Sequence, residues 1–123
     1  MVEVVCGVIQ NNKNEVLIAQ RKYGELAGKW EFAGGKVKPG ETPEESLKRE
    51  LLEELNVEVK VLQKIHENIV THGEDFRLLF YYAQIISGKI KLKEHSKFQW
   101  VLHRQLHEFD LLEGDKCIIE ILK

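Results

Sequence analysis

Cysteine is scarce in this chain, with two in 123 residues. Cys6 and Cys117 lie far apart in apolar segments and form no C-x-x-C pair. That favours free buried thiols in a reducing compartment over a disulfide or a catalytic use. Proline is equally rare, and Pro39 and Pro43 fall close together, so there is no proline-rich linker. No repeat or low-complexity stretch is present. No apolar run approaches the roughly 18 residues needed to span a bilayer, and the N-terminus lacks the basic, apolar, small-residue order of a secretion signal. A cytoplasmic protein with no membrane partner is expected. The net charge is only −2, with Lys and Arg scattered rather than clustered, which makes polymeric nucleic acid a poor partner and a small phosphorylated ligand a better one.

With 43% apolar and 31% charged residues, the chain is expected to form one compact domain over residues 1–123 with a real core. Residues 2–10 are nearly all apolar and β-branched, as in a strand covered on both faces. Asn11 to Asn14 read as a turn and Val16 to Gln20 as a second strand, so the chain is expected to open with a hairpin. Further strands are predicted at Val57–Leu62, at the aromatic run Phe76–Ile86, and at Phe98–Val101. The tail from Leu111 reads as an amphipathic helix that Asp115 can cap. His103 and His107, four apart, lack a third ligand at a plausible spacing and read as surface or half-buried side chains. The element order implies an α/β (α+β) fold, with a mixed β-sheet sandwiched between helices.

The densest stretch is W-E-F-A-G-G-K-V-K-P-G-E-T-P-E-E-S-L-K-R-E-L-L-E-E-L-N-V, residues 30–57. Thr42 suits an N-cap, Pro43 suits the first helical position, and Glu45 completes a capping box, so a helix should begin there. Leu47, Leu51 and Leu55 recur every fourth residue as one apolar stripe. Glu50, Glu53 and Glu54 share the adjacent face, where each like-charge pair opposes helix formation by about 0.2–0.5 kcal/mol. A bound cation would reverse that sign, and hard divalent ions take carboxylate oxygens. Taken alone, E-x-x-E-E fits either a cation site or a solvated acidic face with ordinary salt bridges, Arg49 pairing with Glu45 or Glu53.

The whole spacing narrows the choice. Gly35, Glu41, Arg49-Glu50-Leu51, Glu53-Glu54 and Val57 stand at the intervals of G-x5-E-x7-R-E-U-x-E-E-x-G-U, with U an apolar residue, so residues 35–57 resemble the Nudix box. Asn56 replaces the second glycine; after Gly, Asn best tolerates the left-handed backbone expected there. The preceding W-E-F-A-G-G-K resembles the W-E-F-P-G-G-K of mutator-type (MutT-like) Nudix pyrophosphohydrolases, with Ala33 in place of proline.

That resemblance implies a Nudix fold, an α/β/α sandwich, and Mg²⁺-dependent hydrolysis (Mn²⁺ as alternative) of a nucleoside triphosphate to monophosphate and pyrophosphate. It implies metal ligation by Glu50, Glu53, Glu54 and the Gly34 carbonyl, with Arg49 holding a ligand carboxylate. Glu53 or Glu94 would act on the attacking water. Arg21 is placed like a substrate-contacting arginine, with solvated strand-end charge as its alternative. Phe32 and Asp115 would line the base pocket. An oxidised purine of the 8-oxo-dGTP type is the implied substrate, with a role in sanitising the nucleotide pool and so in DNA repair. A cytosine-type triphosphate is the alternative, and a non-catalytic nucleotide-sensing module is the reading from another class. A monomer or homodimer is expected.

Overall fold

The computed structural model describes residues 1–122. Its strands are β1 (Val2–Ile9), β2 (Glu15–Arg21), β3 (Trp30–Glu31), β4 (Gly34–Lys36), β5 (Glu58–His72), β6 (Glu74–Ser87) and β7 (His95–Leu102). There are two α-helices, α1 (Pro43–Leu55) and α2 (Cys117–Ile121), and two 3-10 turns, His103–Glu108 and Glu113–Asp115, between β7 and α2. The strands form two sheets. One runs β4-β1-β6-β5, with β1 and β6 parallel and the other pairs antiparallel; the second is antiparallel, β3-β2-β7. The expected α/β (α+β) class and Nudix-type layering of sheet between helices hold.

Alternation along β1 and β6 explains the layers. Val5, Ile9, Leu79, Tyr81 and Ala83 join Leu47, Leu51 and Leu55 of α1 in one core. Cys6, Val8, Leu78 and Phe80 point to the opposite face and meet Ile18, Leu106, Leu111 and Ile118. Successive strand side chains face opposite ways, so a strand whose every residue is apolar is buried on both sides. Phe80, Leu47, Leu51 and Leu55 are all fully buried, so most aromatic residues of β6 serve packing, as their position in an interior strand requires.

Three expectations need correction. β1 and β2 do not form a hairpin: they share one bridge, Gln10 with Val16, and then part into different sheets. β5 extends well beyond Leu62, to His72; its ladder with β6 is irregular between Val61 and His66, and such bulges shift which face a side chain takes, erasing the period-two signal. The tail is a 3-10 turn and a five-residue helix rather than one long helix. Asp115 does not cap it, because the N-cap is Lys116 and makes no side-chain hydrogen bond. His103 and His107 are exposed on a 3-10 turn, whose threefold geometry does not align residues four apart.

Candidate active site

Helix α1 begins as its sequence dictates. The Glu45 amide donates to Thr42 Oγ1 at 3.1 Å, and the Thr42 amide donates back to Glu45 Oε1 at 2.8 Å. At the other end Asn56 takes φ 62°, ψ 30°, and its amide donates to the Leu52 carbonyl, the left-handed cap that Gly or Asn best supplies. With the leucine stripe in the core, the acids fall on the rim of a cleft of about 1000 Å³.

Arg49 lies behind that rim and locks it. Its Nε donates to Glu41 Oε2 at 2.6 Å and its Nη2 to Glu41 Oε1 at 3.0 Å, while Nη1 reaches Glu50 at 3.0 Å and Glu53 at 3.2 Å. Of the two partners expected for Arg49, Glu53 is met and Glu45, whose carboxylate is spent on the capping box, is not; the fork itself goes to Glu41. This fork pulls the Glu41 carboxyl down to about 2 and raises the Arg49 guanidinium further.

Glu50, Glu53 and Glu54 all border the cleft, as do Gly34, Glu94, Arg21, Phe32 and Asp115. They are not equivalent. Glu53 is half exposed, whereas Glu54 is buried. Burial pushes the Glu54 carboxyl up to about 10, helped by its contact with Glu50 and by the charges of Glu50, Glu31 and Glu94. Glu50 lies against Gly35, where an added Cβ would stand 2.4 Å from the Glu50 carboxyl carbon; only glycine lets the strand approach this closely. Glu94 is brought near by the 88–94 loop, whose Lys91 and Lys93 amides donate to the Leu55 and Glu54 carbonyls at the end of α1. Asn56 Nδ2 donates to the Lys89 carbonyl at 3.4 Å.

Among the described residues no three His, Cys, Asp or Glu side chains are already drawn around one point. The donor set nonetheless suits a hard divalent ion: oxygen-only, crowded with like charge, and forced to retain a proton at Glu54 that a cation would displace.

In the same cleft, but from elements other than α1, the Phe32 amide donates to Asp115 Oδ2 at 2.9 Å. Burial raises the Asp115 carboxyl to about 7, against the pull of that amide. Val4, Phe76 and Leu78 add an apolar wall. Sequence reasoning missed two cleft residues, Glu31 and His95. His95 Nε2 lies 2.7 Å from Glu31 Oε2, with the imidazole buried. Glu31 sits inside the W-E-F segment, and His95 follows Glu94. Their meeting depends on strand pairing across distant parts of the chain.

The family model described as NUDIX domain matches residues 2–121. This chain belongs to the NUDIX family. The 8-oxo-dGTP diphosphatase of Escherichia coli K12 is 42% identical to it over 124 residues, covering 98% of this chain and 95% of that protein. The CTP pyrophosphohydrolase of the same organism is 33% identical over 123 residues, covering 98% and 90%. The solution structure of the E. coli ORF135 protein superposes with a TM-score of 0.87 at 31% identity, covering 98% and 87% of the two chains. The crystal structure of a MutT NUDIX hydrolase from Burkholderia pseudomallei shares the fold, with a TM-score of 0.89 at 23% identity and coverage of 99% and 98%. The NUDIX chain described here is therefore a MutT-like hydrolase, of a family that generally works with divalent metal ions.

Proposed function

We propose that this NUDIX hydrolase converts a nucleoside triphosphate to its monophosphate and pyrophosphate with Mg²⁺, Mn²⁺ serving as a substitute. The observation that carries this reading is the lining of one cleft: α1 contributes the crowded carboxylates Glu50, Glu53 and Glu54, and a different element contributes the buried Asp115, which faces the Phe32 amide. A nucleotide is a ligand with phosphates at one end and a base rich in N–H groups at the other.

Glu50, Glu53, Glu54 and the Gly34 carbonyl would hold the cation, which when bound neutralises charge spreading over the phosphates. Arg49 fixes Glu50 and Glu53 from behind through the fork to Glu41. Glu53 or Glu94 orients the attacking water and takes its proton, so that the water oxygen ends on one phosphate as the anhydride bond breaks. Arg21 at the end of β2 borders the same cleft and offers a guanidinium to the phosphates or to a base acceptor.

Asp115 reads the base. Ionised, it accepts from ring N–H and amino groups; protonated, it can donate one hydrogen bond to a carbonyl. Phe32 and the Val4–Phe76 wall pack the ring, and an oxidised purine of the 8-oxo-dGTP type is the favoured substrate, in a cytoplasmic role that cleanses the nucleotide pool. The likeness to a CTP pyrophosphohydrolase supports a second reading, because the amino group of cytosine can donate to the same carboxylate. The test is kcat/KM for 8-oxo-dGTP, dGTP, CTP and a methylated dCTP, with pyrophosphate identified as product. A preference for ADP-ribose or a dinucleoside polyphosphate over all four overturns the assignment. The protein acts as a single domain, monomeric or homodimeric, without polymeric nucleic acid.

A further inference from the structure

Glu31 and His95 form a polar pair in the cleft, the imidazole buried and the carboxylate half-buried, to which the reading above gives no part. Three neighbouring strands build it. Arg21 of β2 pairs in register with His95 of β7, and Ala19 of β2 with Glu31 of β3. All three side chains border the cleft. The imidazole is buried, and its Nε2–H donates to Glu31 Oε2 at 2.7 Å, while Arg21 Nε stands 3.7 Å from Glu31 Oε1.

Two features set this pair apart from packing. His95 Nδ1 is the only buried side-chain nitrogen or oxygen among the described residues with no hydrogen-bond partner, and an orphaned polar atom is unfavourable. The imidazole therefore stays buried at some loss, and its one bond fixes the direction of Glu31. The carboxylate it orients keeps acceptor positions free, since each carboxylate offers about four lone-pair sites.

The position of Glu31 decides what those sites can take. Glu31 directly precedes Phe32, whose amide donates to Asp115, and it lines the same cleft as Glu54, so it borders both the proposed base pocket and the carboxylates of α1. A carboxylate repels phosphate oxygens, and this one stands apart from the α1 acids, held by His95 and approached by Arg21. Hydroxyl groups are what a nucleotide offers between base and phosphates. We propose that Glu31, oriented by His95, accepts a hydrogen bond from a sugar hydroxyl of the nucleotide. Glu31 is a specificity-determining residue and His95 a positioning residue acting through it. This rests on the cleft taking a nucleoside triphosphate.

The test compares the best triphosphate of the panel with its 2′,3′-dideoxy form. Wild-type kcat/KM is expected to favour the hydroxylated substrate by about tenfold to a hundredfold, the range for a hydrogen bond to a charged group. Glu31→Ala brings that preference to within about threefold, and Glu31→Gln, which still accepts from His95 and so guards the fold, reduces it in part. His95→Phe also narrows the preference, a change that a merely structural histidine would not produce, because loss of packing slows both substrates alike. If the variants lower both rates and leave the wild-type preference intact, the proposal is overturned while the hydrolase reading stands. If the wild-type enzyme cleaves no triphosphate, the proposed function fails and this assignment fails with it.

Discussion

Arg49 grips Glu41 with two parallel hydrogen bonds, of 2.6 and 3.0 Å, and so ties helix α1 to the loop that precedes it. The same guanidinium reaches Glu50 and Glu53. One planar cation thus sets the spacing of two proposed metal ligands, which an ammonium on a flexible stem cannot reproduce. In Arg49→Lys the Mg²⁺ concentration giving half-maximal rate is expected to rise about tenfold or more, the usual penalty for losing an outer support of a metal ligand. A Mg²⁺ titration of turnover checks it, and an unchanged midpoint would contradict this role.

Glu54→Gln should separate activity from stability. Removing a charge proposed to ligate metal is expected to cut turnover by about a hundredfold or more at saturating Mg²⁺. The metal-free variant should nevertheless melt higher than metal-free wild type at pH 7. The wild-type carboxyl releases its proton near 4.5 when unfolded and near 10 when folded, so at neutral pH folding must take up a proton. A neutral amide avoids that, a gain on the order of 1–3 kcal/mol. Turnover at the wild-type rate would refute the site assignment.

Asp115 predicts a pH dependence of stability. Its carboxyl is raised from 3.8 to about 7 in the folded protein, so between those values the folded state holds more protons than the unfolded one. Stability from this group is full below about pH 4 and is lost as pH climbs through about 7. Asp115→Asn keeps an acceptor for the Phe32 amide and removes the titration. Urea unfolding of metal-free protein at pH 5 and pH 8 should show a smaller decline in the variant than in wild type. An identical decline would mean that Asp115 titrates like a solvated carboxylate.

Gly35→Ala should damage the site without damaging the core. The atoms nearest the new Cβ are those of the Glu50 carboxylate, the far end of a side chain that can swing away from the leucine stripe. Melting temperature is expected to stay within a few degrees while Mg²⁺ affinity falls about tenfold. A binding titration followed by thermal melting separates the two effects.

Local rules made the middle of the chain legible. The capping box at Thr42 and Glu45, the buried stripe of Leu47, Leu51 and Leu55, and the left-handed Asn56 all follow from contacts within a turn or two of helix. The motif spacing carried the family for the same reason, since residues 35–57 present their acids on one short element. The far reaches of β5 were not legible, because irregular pairing with β6 breaks alternation. Nor was the separation of β1 and β2 into two sheets, because β1 exchanges its neighbour for β4 and β6 after a single bridge.

By itself, the sequence determined a capped helix that puts three glutamates beside a buried stripe, because helical periodicity needs no distant partner. Only the tertiary structure decided that Glu41 rather than Glu45 receives Arg49, that Asp115 turns to the Phe32 amide instead of capping a helix, and that Glu31 and His95 meet. Each of these joins residues outside one turn of helix, and the choice among several chemically equal partners depends on which strands and loops the two packed cores bring within hydrogen-bond distance.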